Sequence, residues 1–217
     1  MCVRLPHSNI LILNIPQYGV DQTRFFLMAE VNFGNDGDFS TKAFVQRVNV
    51  NLANELGNLC QRTMSMVHKN CAAQTPLAGS FTEEDEIILK SARELRERAA
   101  EHVSNQALHR YTQTMIDMVG ETNKYIDTME PWSLKKTDTD RMATVLYVIM
   151  EVLRHVAIVY QPIIPDSANK ILDLLQVPAD ERSFEHLTED YKIKEGVAVS
   201  KPTAVFPRIE VEETVEA

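Results

Sequence analysis

The sequence predicts an all-α protein, an antiparallel bundle of about five helices with a short irregular C-terminal tail. Its composition favours helices over sheets, because only 7 glycines and 9 prolines accompany 9 methionines and many good helix formers. Apolar residues recur every three or four positions over several long stretches, which is the period of an amphipathic helix. The connections between these stretches are short, and short connections favour antiparallel neighbours.

The first two predicted helices are separated by a polar, glycine-rich segment. The stretch "GVDQTRFFLMAEV" (19–31) has approximate helical spacing, and "NFGNDGDFS" ends it. Ser40 is then placed as an N-cap. The apolar positions that follow, from Phe44 to Thr63, predict a single α-helix of about eight turns that ends near residue 70.

Two further helices are predicted before the only tryptophan. Thr82, followed by Glu83, Glu84 and Asp85, forms a helix start, and the stretch to residue 103 continues helically without interruption. Ser104 caps the next helix. That helix ends before Pro131, since proline disfavours helix in the residue that precedes it.

The stretch 139–160 is apolar nearly all round, which predicts the central helix of the bundle. The last helix begins at Pro165, with Asp166 and Ser167 as caps. From Pro178 onward the periodicity is lost, which indicates a peripheral hook with an extended "AVFPRIEV" and an acidic end.

Composition and motifs exclude several classes of function. The net charge of −9 repels polyanions, so any nucleic-acid binding has to be local. Three cysteines without CxxC or histidine-interleaved spacing fit a reducing compartment and no metal site. No apolar run reaches the roughly 18 residues of a membrane span. Phosphate-loop, dinucleotide and hydrolase motifs are also missing, and we predict no catalytic residue.

Asn58 and Arg62 form the first candidate site. They lie four residues apart and therefore share one helix face. A planar amide beside a guanidinium fork offers the donors and acceptors that read the edge of an unstacked base. The alternative is an ordinary polar stripe where the helix meets solvent.

The second candidate site surrounds Trp132. This ring follows Pro131 at the mouth of a loop, and Lys135 and Lys136 come directly after it. A rigid aromatic beside two cations provides a stacking platform next to charge that neutralises phosphate. The alternative is that Trp132 closes the end of the bundle, with both lysines simply exposed.

Four stretches, in this order and spacing, resemble the C-terminal part of bacterial or organellar methionyl-tRNA synthetase: "YGVDQTRFFLMAEVNFGNDGDFS", "NVNLANELGNLCQRT", "TNKYIDTMEPWSLKK" and "QPIIPDSANKILDLL". The resemblance implies the anticodon-binding domain of this class I family, which reads the methionine anticodon CAU. Asn58 and Arg62 are similar to residues that contact the anticodon, chiefly its cytosine. Trp132 matches a tryptophan that packs against the anticodon bases. Asn123 and Tyr125 are candidate supporting residues.

The resemblance also implies partners and a compartment. We expect the anticodon stem-loop of the methionine tRNA as partner, no DNA and no membrane, with self-association through an apolar edge as a further candidate. The compartment is the cytoplasm or an organelle, and secretion is not expected. We expect four segments: an unmatched leader (1–17), a linker remnant (18–39), the anticodon-binding bundle (40–177), and a hook with an acidic tail (178–217).

Two alternatives to this interpretation stay open. One is the anticodon domain of the related synthetase for valine, isoleucine, leucine or cysteine, which shares the bundle but differs at the reading positions. The other is a helical interaction module without RNA affinity.

We predict that the 217-residue chain does not catalyse methionine-dependent pyrophosphate exchange. The HIGH and KMSKS motifs of the family's catalytic domain do not occur in these residues, so ATP and methionine have no expected site and no cofactor is expected on the chain. The assay is exchange of labelled pyrophosphate into ATP with the purified chain. Measurable methionine-dependent exchange would disprove the prediction.

Overall fold

The computed structural model describes residues 18–30 and 40–210, and in these ranges it confirms the all-α prediction. The described ranges contain no β-strand, and their single isolated bridge joins Gln74 to Ala198. The α-helices are α1 (Val20–Glu30), α2 (Thr41–Val48), α3 (Asn58–Asn70), α4 (Glu83–Arg93), α5 (Leu95–Ser104), α6 (Leu108–Met129), α7 (Pro131–Leu134), α8 (Thr139–Tyr160) and α9 (Pro165–Leu174). A π-helical segment (Asn49–Gly57) joins α2 to α3. The expected leader 1–17, most of the glycine-rich linker and the acidic end 211–217 lie outside the described ranges.

The long helix that follows Ser40 is not a regular α-helix throughout. Ser40 is its N-cap as predicted, since its hydroxyl accepts a hydrogen bond from the backbone N–H of Ala43 at 3.1 Å. The π segment then replaces about two turns of α-helix, although the backbone stays helical at both of its ends. The buried pairs in this region recur every four residues, at 48/49, 52/53 and 56/57. Buried pairs four residues apart also occur in the flanking α-helices, at 44/45 and at 59/60 and 63/64, so this repeat marks the buried face of the whole helix and not the π segment in particular.

The prediction for residues 82–129 is right about the first cap and wrong about two boundaries. Thr82 and Asp85 form a capping box at the start of α4. The chain kinks at Glu94, however, so α4 and α5 are two helices. Ser104 ends α5 instead of capping the next helix, and α6 begins at Leu108. The Ser104 hydroxyl donates back to the carbonyl of Ala100 at 3.0 Å, an alternative bond that serine commonly makes within a helix.

Helix α8 is the central element, as predicted. Every residue from Thr144 to Tyr160 is buried, and α8 packs against α3, α4, α5, α6, α7 and α9. By length and composition alone this helix meets the criterion for a membrane span, and 94% of its apolar window is buried inside the protein. Its apolar character is therefore explained by its place at the centre of the bundle.

The start of α9 is stabilised from a distant part of the chain. Pro165 is the first helical residue, as predicted, but Asp166 and Ser167 are not the caps, because they lie within the first turn. The Asp21 carboxylate of α1 accepts a hydrogen bond from the Ser167 N–H at 2.6 Å instead. An acceptor supplied from another helix satisfies a free N–H of the first turn, and no local sequence pattern reveals it.

The C-terminal tail packs on the bundle. It contains three short 3₁₀ turns. The "AVFPRIEV" stretch was expected to be extended, and its described part (204–210) is irregular. Four of its apolar residues are buried, namely Ile193, Val199, Val205 and Phe206. The tail therefore contributes to the same hydrophobic core as the helices.

A buried ion pair connects this tail to α8. Arg154 is fully buried and donates to the Glu151 carboxylate, while another of its N–H groups donates to the backbone oxygen of His186 at 2.7 Å. Glu151 also accepts from the N–H of Ile193 at 3.0 Å. Burial alone would raise the pKa of Glu151, but hydrogen bonds from His155 and Arg154 outweigh it and lower the pKa to about 2.

We predict that the free energy of unfolding falls as the pH drops from about 4.5 towards 2. Because the pKa of Glu151 is lower in the folded chain, its ionised form stabilises the fold above its ordinary pKa, and this contribution is lost on acidification. Urea unfolding over this pH range is the measurement.

The Glu151→Gln variant tests the assignment of that dependence to Glu151. We expect it to lose about 3–5 kcal/mol near neutral pH, because Arg154 is left buried without a counter-charge. Its stability should then decline less steeply between pH 4.5 and 2 than that of the wild type. An equally steep decline would assign the acid sensitivity to other carboxylates.

Candidate nucleic-acid interface

The two candidate sites of the sequence lie next to each other in the structure. Arg62, on α3, places its guanidinium 5.4 Å from the centre of the Trp132 ring on α7. Trp132 is 37% exposed, so it is neither a fully buried plug nor a free surface ring. A guanidinium at this distance from an indole face makes a favourable cation–π contact. One composite surface therefore carries both the guanidinium and the aromatic platform.

Arg62 also makes an ion pair that the sequence did not indicate. Its guanidinium donates to the Asp127 carboxylate of α6 at 3.0 Å, and both side chains are largely exposed. Exposed pairs contribute about 0–1 kcal/mol, so Arg62 can leave Asp127 at little cost. The pair holds the guanidinium close to Trp132 without sequestering it from solvent.

Asn58 is exposed one turn before Arg62, and no hydrogen bond of its side chain occurs among the described residues. Its amide is therefore available to a ligand. Asn123 faces the same region from α6 but is already engaged, because its amide donates to Glu55 at 2.8 Å. That bond connects the π segment to α6, which makes Asn123 a support of the site's framework.

Tyr125 is buried and occupied. Its hydroxyl donates to Asp85, which also accepts from Arg141 at 2.8 Å and from the N–H of Thr82 at 2.9 Å. Burial and the bond to Asp85 raise the pKa of Tyr125. Burial opposes ionisation of Asp85, but the hydrogen bonds from Arg141 and Tyr125 outweigh it and lower the pKa of that carboxyl. This cluster ties the start of α4 to α6 and α8.

Trp132 follows a sharp turn of the backbone between α6 and α7. Glu130 adopts a left-handed conformation (φ 44°) between α6 and α7, which ends one helix and redirects the chain. Pro131 is buried as the first residue of α7, so the following indole projects from an anchored turn. Lys135 and Lys136 are exposed immediately after this turn, as the sequence predicted.

The side chains on this surface suit the binding of an extruded base better than they suit catalysis. It combines a half-exposed ring, a free amide, a guanidinium and nearby lysines, which suits stacking and edge recognition. Among the residues that the structure describes, no group of three or more histidine, cysteine, aspartate or glutamate side chains is arranged to hold a metal ion. Sequence reasoning missed Asp127 and Glu55, because cross-helix pairs leave no mark in the local pattern.

Comparison with protein families gives two matches along the chain. Residues 75–217 match the anticodon binding domain of methionyl tRNA ligase, and residues 11–64 match class I tRNA synthetases of the methionine type. The chain belongs to the methionyl-tRNA synthetase family. The second match begins inside the segment 1–17, and the boundary between the two matches falls near the end of α3. This membership sets aside the synthetases for valine, isoleucine, leucine and cysteine.

Individual relatives agree with this membership. The chain is 47% identical over 194 residues to methionine–tRNA ligase of Rhizobium meliloti, covering 89% of this chain and 38% of that protein. It is 44% identical over 199 residues to the Rickettsia felis enzyme, covering 90% and 39%. The chain thus spans about two fifths of the length of these curated relatives.

A solved structure shows the same fold. The apo form of Mycobacterium tuberculosis methionyl-tRNA synthetase superimposes with a TM-score of 0.89 and 41% identity, covering 94% of this chain and 42% of that one. At this identity the likeness extends to the sequence as well as the fold.

We predict that Arg62→Ala makes Trp132 more accessible to solvent. Removing the guanidinium uncovers the ring, so the emission of the single tryptophan should move to longer wavelength and acrylamide quenching should increase. The free energy of unfolding should change by less than about 1 kcal/mol, because the lost ion pair is exposed.

Arg96→Ala is the matched control for this measurement. The Arg96 guanidinium lies 5.8 Å from the ring centre of Phe184, so its removal deletes a comparable contact elsewhere. Trp132 emission should be unaffected. An equal spectral change in both variants would contradict the contact between Arg62 and Trp132.

Proposed function

We propose that this chain recognises the CAU anticodon of methionine tRNA through Asn58, Arg62 and Trp132. The observation that carries the proposal is the guanidinium of Arg62 held 5.4 Å from the half-exposed ring of Trp132. Membership in the methionyl-tRNA synthetase family supports it independently. In this proposal, the longer relatives carry out the whole reaction, which is the ATP-dependent attachment of methionine to tRNA. The sites for ATP and methionine are likewise assigned to those longer proteins.

The donor pattern of the site suits cytosine. The ring nitrogen N3 and the carbonyl O2 of cytosine both accept hydrogen bonds, which a guanidinium or an amide N–H can donate. Uracil carries a proton on N3, so the same donors meet a donor there. A misdirected hydrogen-bond set costs about 1–3 kcal/mol, which corresponds to roughly ten- to hundredfold in affinity.

The ring and the lysines supply the part of binding that does not depend on sequence. Stacking of a base on an aromatic side chain contributes about 1–3 kcal/mol. Lys135 and Lys136 can neutralise phosphates beside the stacked base, and such contacts weaken as salt rises. With a net charge of −9 on the chain, we expect weak binding of the isolated chain that declines steeply with salt. The relatives named above are bacterial, which supports a bacterial-type synthetase working in the cytoplasm or in an organelle.

The decisive experiment is a low-salt titration of the purified chain with a methionine anticodon stem-loop. A loop with CAU changed to UAU should bind about tenfold or more weakly. The Trp132→Ala variant should bind the CAU loop similarly weakly, since one stacking contact is lost. Anisotropy of a labelled loop gives both affinities.

Arg96→Ala again serves as the control, because it removes an exposed arginine next to an aromatic ring away from the site. It should bind the CAU loop like the wild type. Equal affinity of the wild type for both loops would refute anticodon reading. No binding to either loop would refute RNA recognition by this chain.

Self-association is a second candidate function, supported by one apolar groove. Val103, Leu108 and Phe184 are each more than 40% exposed, and they line a groove of about 440 Å³ between α5, α6 and the tail. An apolar patch of this kind is a typical protein-interaction surface. Light scattering tests it, because association should raise the apparent mass and a Leu108→Asp variant should abolish the rise.

A further inference from the structure

We infer that the C-terminal strap Val205–Ile209 positions the anticodon-reading residues, with Asn49 as the positioning residue that fastens it. The strap contacts the π segment, which lies directly before Asn58. The inference rests on the proposed function in one respect: it takes Asn58 and Arg62 to be the readers.

The strap is attached to the π segment by two hydrogen bonds between the Asn49 side chain and the backbone of Ile209, which together are called the clasp. Asn49 opens the π segment and is 9% exposed. Its side-chain amide donates to the carbonyl of Ile209 at 2.9 Å, and its side-chain oxygen accepts from the N–H of Ile209 at 2.8 Å. Both polar ends of one side chain are thus paired with the backbone of a single residue about 160 positions away.

The other end of the π segment meets the same strap. Phe206 is buried against Gly57, where an added Cβ would lie 3.5 Å from the Cβ of Phe206 and 3.0 Å from the carbonyl oxygen of Leu52. The Phe206 ring therefore lies at ordinary contact distance from Gly57, and the tighter 3.0 Å approach is to the Leu52 carbonyl. The strap touches the first and the last residue of the π segment, and the last one precedes Asn58.

A π-helical run needs such support. Helices with i→i+5 bonds are rare, and they persist where surrounding contacts favour them. If the segment relaxed to α-helix, its turns would tighten, and α3 would rotate relative to α2. Asn58 and Arg62 would then turn away from their positions beside α6 and α7. The bond from Glu55 to Asn123 holds the same segment to α6, the helix that carries Asp127.

This geometry makes the strap a determinant of recognition as well as of stability. Loss of the clasp should rotate or loosen α3, so that the Arg62 guanidinium leaves the face of Trp132. Two measurements report this displacement of Arg62. Trp132 emission reports the position of Arg62 without RNA, and the ratio of affinities for the CAU and UAU loops reports the reading of the first anticodon base.

The test compares Asn49→Ala with Thr75→Ala. Thr75 is a matched control, because it is buried and its hydroxyl also makes two hydrogen bonds to the tail backbone, at Lys194 (2.6 Å) and Val197 (2.8 Å). Both variants should unfold at lower urea concentration. Only Asn49→Ala should shift Trp132 emission in the direction given by Arg62→Ala, and only Asn49→Ala should reduce the CAU/UAU affinity ratio from about tenfold towards one.

A double variant establishes that Asn49 acts through Arg62. In an Arg62→Ala background, Asn49→Ala should add no further change to the emission of Trp132. Phe206→Leu provides a milder loosening of the strap should Asn49→Ala not fold, and it should produce the same two changes in smaller measure.

Three results overturn the inference: a folded Asn49→Ala variant with wild-type emission, equal changes in the Thr75→Ala control, or additive changes in the double variant. Failure of the proposed function looks different. If neither loop binds to the wild type, the anticodon assignment falls, while the emission measurements still decide whether the strap positions Arg62.

Discussion

Burial of α8 from Thr144 to Tyr160 is the constraint on which the rest of the structure depends. A helix buried on all sides has to be covered by other elements, and the surrounding helices and the tail together provide that cover. Helix α8 also carries Arg154. The charge of Arg154 is tolerated in the core because Glu151 lies one turn away and because the tail supplies a backbone acceptor. The tail is therefore a structural requirement of the central helix.

The same tail also contacts the π segment. Two distant features, a buried ion pair and an unusual helical segment, thus depend on one irregular stretch of chain. This arrangement explains why a tail without helical periodicity contains buried apolar residues. Its sequence shows little pattern because each buried residue fits a different place on the bundle.

The candidate site occupies the edge of this framework. Its exposed members make weak contacts, such as the ion pair of Arg62 with Asp127. The same helix α6 also makes a buried contact, from Tyr125 to Asp85. Side chains held by such weak exposed contacts can exchange them for contacts with a ligand at little cost. Asn123 and Tyr125 are both engaged in hydrogen bonds to other segments, to Glu55 and to Asp85.

The sequence by itself determined the helical class, the central place of the 139–160 helix, and the caps at Ser40 and Thr82, because each depends on spacing within one stretch. It also pointed to Asn58, Arg62 and Trp132 as candidates, through the family resemblance together with the shared helix face of the first two. Only the tertiary structure decided the π segment, the start of α6 at Leu108, the capping of α9 by Asp21, and the meeting of Arg62 with Trp132 and Asp127. The capping of α9 and the contacts of Arg62 arise from residues far apart in the chain, and such pairings follow from packing, which local periodicity does not encode.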